Sequence, residues 1–129
     1  MNKIAALVAA FVLALVPLVA SASGDHLTSV TFAPAPGGKY AATDTLADGA
    51  NSPLVGKVVH YALNVCATDG GGCGAWNYGT CTTNASGACS TSAVKAKTTD
   101  VMNMVTQSVD GSDYQYTTDP LSWVQFIVP

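Results

Sequence analysis

A turn flanked by two cysteines constrains the fold of this chain more than any other feature of its sequence. Residues 79–90 read GTCTTNASGACS. Asn84 can hydrogen-bond nearby backbone and Gly87 can adopt a positive φ without strain, so both residues favour a turn. The threonines on either side favour β-strand. We therefore predict a β-hairpin with arms over residues 76–83 and 88–96.

Short β-type runs bounded by turn residues continue along the rest of the chain. Outside the hairpin we predict strands over residues 28–32, 40–46, 57–67, 101–109 and 123–128. A series of about seven short strands at regular spacing is typical of an antiparallel β-sandwich. The predicted fold class is therefore an all-β sandwich in one domain, without internal repeats or linkers.

The run over residues 57–67 is the strongest of these strand predictions because apolar residues alternate along it. One face carries Val59, Tyr61, Leu63 and Val65, and the other carries Val58, His60, Ala62, Asn64 and Cys66. Strict alternation predicts one face on the core and one face toward solvent. We therefore expect His60, Asn64 and Cys66 on the outer side.

The first 22 residues have the organisation of a secretory signal peptide. Lys3 supplies a positive start, residues 4–20 are apolar, and Ala20-Ser21-Ala22 supplies small residues for cleavage. We predict cleavage after Ala22, which leaves residues 23–129 as the mature domain outside the cell or at its surface. The alternative is a retained N-terminal helix that anchors the chain or packs inside a filament.

Charge is scarce in the predicted mature domain. Residues 23–129 contain four Lys and eight Asp but no Arg and no Glu. A nucleic-acid partner needs a basic surface, and so does attraction to anionic lipid. We therefore expect no nucleic-acid partner and, after signal cleavage, no membrane association.

The four cysteines of this short chain imply two disulfides. Their spacing is not that of a zinc site, so we predict no metal centre. We favour Cys66–Cys73, which would close the Gly-rich loop between them, and Cys81–Cys89, which would brace the hairpin. The alternative pairing, Cys66–Cys81 with Cys73–Cys89, would tie separate strands together.

Catalytic motifs are not found in the sequence, and we predict neither enzyme activity nor a cofactor. His60 lacks the neighbouring Ser and Asp pattern that would indicate a triad. A calcium site formed by Asp110, Asp113 and Asp119 is a less favoured alternative, because carboxylates bind calcium but the EF-hand spacing is absent. Asn84-Ala85-Ser86 fits a glycosylation sequon, although turn chemistry alone explains it.

Aromatic residues lie in or beside the loops rich in Gly and Asp. They are Trp76, Tyr78, Tyr114, Tyr116 and Trp123. Such residues can form a contact surface for a partner. They can equally plug the ends of the core, which is the interpretation that we favour from sequence.

Two motifs resemble those of bacterial immunoglobulin-like domains of the invasin and intimin type. Residues 52–59, SPLVGKVV, resemble the start of a strand in that group, and residues 82–88, TTNASGA, resemble its Thr-rich hairpin. The resemblance implies an immunoglobulin-like sandwich. The chain departs from that group because it contains four cysteines, which the group usually lacks, and because one domain directly follows the predicted signal peptide.

A second resemblance is to the neocarzinostatin-type chromoproteins. It rests on the strand over residues 61–66, the following loop with Cys73, and the TNASGA turn. This resemblance implies a secreted sandwich that holds an apolar molecule in a cleft.

We therefore predict a secreted, non-catalytic protein with a structural, adhesive or fibre-forming role. Its partners would be other extracellular protein subunits or a surface ligand, and β-rich termini would suit a homo-oligomer or fibre. The alternative is a small-ligand carrier.

Overall fold

The computed structural model describes residues 24–113 and 119–129. The predicted signal peptide, Tyr114 and Tyr116 therefore lie outside the described residues. These two ranges contain ten strands: β1 His26–Ala35, β2 Lys39–Ala47, β3 Val58–Ala67, β4 Gly72–Cys73, β5 Asn77–Thr82, β6 Ala88–Ser90, β7 Val94–Lys95, β8 Val101–Val109, β9 Ser112–Asp113 and β10 Trp123–Ile127. A 3₁₀ turn, Pro120–Ser122, precedes β10.

The strands form two antiparallel sheets, as an all-β sandwich requires. The smaller sheet has the order β1-β2-β6, with β7 also paired to β2. The larger sheet has the order β10-β8-β3-β4, with β5 also paired to β3 and β9 to β8. Core side chains come from both sheets, so the sheets pack face to face. Within the described residues, no helix has the length and apolar character of a membrane span.

Alternation along β3 supplies much of this core. Val59, Tyr61 and Leu63 are buried between the sheets, and Val65 packs against them, as expected. Ala42 and Leu46 of β2 face them from the smaller sheet. The alternating apolar face of one strand therefore places the opposite face, with Ala62 and Asn64, on the outside of the larger sheet.

The predicted hairpin over residues 76–96 is wrong, although its turn is present. The Asn84 N–H donates to the Ala88 carbonyl at 2.9 Å, and the Asn84 side-chain oxygen accepts from the N–H groups of Ser86 and Ala88. Beyond this turn the arms separate. β5 pairs with β3 in the larger sheet, whereas β6 pairs with β2 in the smaller sheet.

Gly87 shows why the chain crosses between the sheets. Its φ is 78°, and a Cβ at this position would collide with the carbonyl oxygen of Leu46. The Leu46 N–H donates to the Gly87 carbonyl at 2.9 Å. The backbone after the turn is therefore held against β2, which takes β6 away from β5.

The disulfides are Cys66–Cys73 and Cys81–Cys89, the pairing that we favoured. Cys66–Cys73 joins paired residues of β3 and β4 and closes the Gly-rich loop. Cys81–Cys89 joins β5 to β6 and so links the two sheets. Cys89 is buried and Cys81 contacts both halves of the core. Two disulfides indicate an oxidising environment for the folded protein.

The two bridges close loops of nearly equal length, with sequence separations of 7 and 8, and this allows a matched test. Loop closure alone predicts about 2.5 kcal/mol of stability for each. We expect the double variant Cys81→Ala/Cys89→Ala to lose about 1–2 kcal/mol more than Cys66→Ala/Cys73→Ala, because it also leaves a void in the core. Chemical denaturation of both variants measures the difference. Equal losses would show that the bridge between sheets adds nothing beyond loop closure.

Candidate binding surface

A row of four paired residues crosses the outer side of the larger sheet. Ala62 of β3 pairs with Tyr78 of β5 on one side and with Val105 of β8 on the other, and Val105 pairs with Trp123 of β10. Paired residues in antiparallel strands project to the same face. We call this row, with the surface around it, the aromatic face.

The residues at the two ends of the row are exposed, and the two residues between them are buried. Tyr78 is 69% exposed and Trp123 is 51% exposed, whereas Ala62 and Val105 are buried. Three strand spacings separate the two aromatic residues, which places their backbones about 14 Å apart. The aromatic face therefore presents two separate aromatic side chains, with two buried residues between them in the row.

A row of amide side chains lies beside the aromatic row, two residues along each strand. Gln125 Nε2 donates to Asn103 Oδ1 at 2.8 Å, and Asn103 Nδ2 donates to Asn64 Oδ1 at 2.9 Å. Asn64 is on the outer side, as we expected, but it is buried rather than open to solvent. Alternation alone could not predict this, because the burial comes from Asn103 and other neighbours across the strands.

The strands that form this surface have no ionic side chains of either sign. β3, β5, β8 and β10 contain neither Asp nor Lys. The nearest ion pair to β3 along the chain is Lys57–Asp110, with 3.3 Å between Lys57 Nζ and the Asp110 carboxylate. The Val58 N–H and then Lys57 hold the pKa of Asp110 below its ordinary value. The aromatic face itself is neutral, with His60 as an exposed titratable neighbour.

A cleft opens along the edge of the sandwich where β5 faces residues 92–95. It has a volume of about 590 Å³, with Trp76 and Tyr78 among its walls and Tyr61 and Leu63 below them. A second hollow of about 430 Å³ shares Asn77, Ala93 and Val94 with it. We call the two hollows together the edge cleft.

Tyr61 closes the inner end of the edge cleft. Its hydroxyl oxygen accepts from the Ser92 N–H at 2.9 Å, so the side chain spans from β3 to the segment that follows β6. Gly79 permits this path, because a Cβ there would lie 2.5 Å from the Tyr61 hydroxyl oxygen. The small residue on β5 therefore gives the cleft its aromatic floor.

The structure changes our interpretation of the aromatic residues. Trp76 is 37% exposed, and Tyr78 and Trp123 are more exposed still. The core role that we favoured is wrong for Tyr78 and Trp123, and the alternative of a contact surface fits them. The position of Tyr78 on the outer side follows from the pairing of β5 with β3, which the predicted hairpin did not include.

The remaining candidate residues are dispersed. Asp110 is engaged with Lys57, whereas Asp119 accepts from the N–H groups of Leu27 and Leu121. In residues 24–113 and 119–129, no three His, Cys, Asp or Glu side chains are grouped to hold a metal ion. The Asn84 side chain is used in its turn. None of these groups adds a reactive centre to the aromatic face.

A buried carboxyl group in the core escaped the sequence analysis. Asp44 of β2 points between the sheets, and the Thr106 hydroxyl donates to its Oδ2 at 2.5 Å, while its Oδ1 has no hydrogen-bond partner among the described residues. Burial raises its pKa from 3.8 to about 6, against the lowering effect of Thr106, and Asp119 raises it further. Its position between Ala42 and Leu46 on the inward face of β2 was the signal that could have found it. Asp44 is sealed from solvent, so we assign it no chemical step.

Comparisons of the chain with known protein families, with curated proteins and with solved structures returned no significant match. The chemistry of the surface itself must therefore indicate what it binds.

Asp44 predicts an unusual dependence of stability on pH. The folded protein holds the Asp44 proton more tightly than the unfolded chain, so its contribution to stability is complete below pH 3.8 and is lost as pH rises through about 6. The shift corresponds to about 3 kcal/mol. We expect Asp44→Asn to remove this loss and to be more stable than the wild type above pH 6. Denaturation between pH 3 and pH 8 measures both profiles.

Thr106→Val is the matched control for that experiment. It removes the hydroxyl that lowers the pKa of Asp44, so the loss of stability should extend to higher pH. Parallel profiles for the wild type and Asp44→Asn would contradict a titrating Asp44.

Proposed function

We propose that this protein is a secreted, non-catalytic immunoglobulin-like module with an adhesive role, and that the aromatic face is its contact surface. The observation that carries the proposal is the exposure of Tyr78 and Trp123 in one row across four strands that contain neither Asp nor Lys. Large aromatic side chains are enriched at the centres of interfaces. The two disulfides fit a protein that acts outside the cell.

The strand order supports the immunoglobulin-like assignment. β1-β2-β6 packs against β10-β8-β3 with β5 beside β3, and these are seven strands of three residues or more. In constant-type immunoglobulin domains the first, second, fourth and fifth strands form one sheet, and the third, sixth and seventh form the other. Counted in chain order, six of the seven strands here lie in the corresponding sheets, whereas the fourth, β5, lies beside the third strand, β3, where the variable type also adds strands. The motifs at residues 52–59 and 82–88 agree with it.

Rigid strands are a suitable base for an adhesive surface. Backbone pairing fixes Tyr78 and Trp123 on separate strands of one sheet, so little conformational entropy is lost when a partner binds. Tyr and Trp side chains also have few rotatable bonds for the area that they present. The face can therefore bind without rearrangement of the fold.

The aromatic face predicts which substitutions abolish adhesion. We expect Tyr78→Ala/Trp123→Ala to reduce retention of the purified protein on cells of the organism that produces it by roughly 30-fold, the effect of a hot spot of about 2 kcal/mol. Val55 is 58% exposed and lies outside the four strands, so Val55→Ala is the matched control. Retention of labelled protein after washing is the measurement. Equal retention of wild type and double variant would refute the proposal.

The edge cleft supports a second candidate function, that of a small-ligand carrier. Tyr61, Trp76 and Tyr78 are among the residues that line the open cleft, and its volume of about 590 Å³ suits a small organic molecule. The second resemblance described above implies the same function.

Filling the edge cleft tests the carrier function. Ala93 lines both hollows, so Ala93→Trp should block them, whereas Val55→Trp adds the same bulk elsewhere. Native mass spectrometry of protein recovered from its source should show a bound small molecule in the wild type and in Val55→Trp, but not in Ala93→Trp. A wild-type protein that carries no such molecule would contradict this function.

A further inference from the structure

We infer that the partner of the aromatic face is a neutral polysaccharide, whose sugar rings stack on Tyr78 and Trp123 while its hydroxyl groups hydrogen-bond Gln125, the exposed end of the neighbouring amide row. This inference rests on the proposed function, because it names the partner of the same surface.

The shape of the aromatic face matches the chemistry of a sugar chain. A pyranose ring has C–H groups on its faces and hydroxyl groups around its rim, so it offers an apolar face and a polar edge together. Tyr78 and Trp123 supply exposed aromatic rings, and Ala62 and Val105 keep the surface between them low. The two backbones are about 14 Å apart, a distance that suits several linked sugar rings better than one. The occupant is therefore a chain of sugars rather than a single one.

The amide row supplies the polar half of this recognition. An amide side chain both donates and accepts hydrogen bonds, and so does a hydroxyl group. Gln125 is exposed at one end of the row, and its Nε2 is oriented by Asn103. Asn103 is held in turn by Asn64. A polar group that is oriented before binding loses little entropy when a ligand arrives.

The absence of charge distinguishes this partner from others. Protein interfaces are enriched in Arg and carry polar rims, and charged pairs usually set their register. β3, β5, β8 and β10 contain no Asp and no Lys, and the chain has no Arg. An acidic polysaccharide, an anionic lipid or a nucleic acid would find no cation on these strands. A neutral, hydroxyl-rich polymer needs none.

The test uses the disulfide-intact protein and defined polysaccharides. Insoluble cellulose and chitin are used in pull-down experiments, and soluble laminarin, dextran and galactomannan are titrated while tryptophan fluorescence is followed. We expect at least one of these neutral polymers to bind and to change the emission. Binding should persist in 0.5 M NaCl, where ionic contacts are strongly screened. Heparin should not compete.

Variants assign the binding to the aromatic face. Tyr78→Ala and Trp123→Ala should each weaken binding about tenfold, as expected for the loss of one stacking residue. Tyr78→Phe and Trp123→Phe keep a ring and should recover most of the affinity. Gln125→Ala should weaken binding by a smaller factor, and Val55→Ala should leave it unchanged. Thermal unfolding confirms that each variant is folded, and the Phe variants keep the test valid if an Ala variant is not.

The outcomes separate this inference from the proposed function. If no polymer binds, but Tyr78→Ala/Trp123→Ala still loses retention on cells, the polysaccharide is wrong and the contact surface stands. If neither effect is seen, both are wrong. Binding that persists in both Ala variants, or that disappears in 0.5 M NaCl, would also overturn the inference.

Discussion

The backbone contact between Gly87 and Leu46 determines how the sandwich is assembled. A side chain on Gly87 would not fit against the Leu46 carbonyl, and the Leu46 N–H bonds the Gly87 carbonyl at 2.9 Å. Thr83, at the start of the same turn, is bonded to Gly56 and Lys57 just before β3. The turn is therefore attached to both sheets. This attachment directs β5 to β3 and β6 to β2, and Cys81–Cys89 then links the two strands covalently.

The local sequence pattern was sufficient to predict those features that do not depend on which strands pair with each other. β8 occupies the predicted residues 101–109, and the inward face of β3 follows its alternation. The favoured cysteine pairing is also present, although Cys81–Cys89 links the two sheets and does not brace the predicted hairpin. Each of these features depends on periodicity or short separation, which a single sequence contains.

The features that could not be predicted depend on contacts between distant residues. Residues 76–96 have the composition of a hairpin, but its two arms pair with β3 and β2 and not with each other. The outward position of Tyr78 follows from the pairing of β5 with β3, whereas Asn64 lies against Asn103 of β8. Asp44 was missed for another reason, since a carboxyl group on an inward face contradicts the general pattern of burial and is tolerated only because Thr106 bonds one of its oxygens. The aromatic face is thus a product of topology.

β5 belongs to the aromatic face and to the edge cleft at once. Tyr78 is an end of the aromatic row and also a wall of the cleft, and β5 pairs only with β3 among the described strands of its sheet. A molecule in the cleft that displaced this strand would change the span between Tyr78 and Trp123. Occupancy at one site would then alter affinity at the other, and thermodynamic reciprocity requires the effect to be equal in both directions. One edge strand would thereby make two independent surfaces into an allosteric pair.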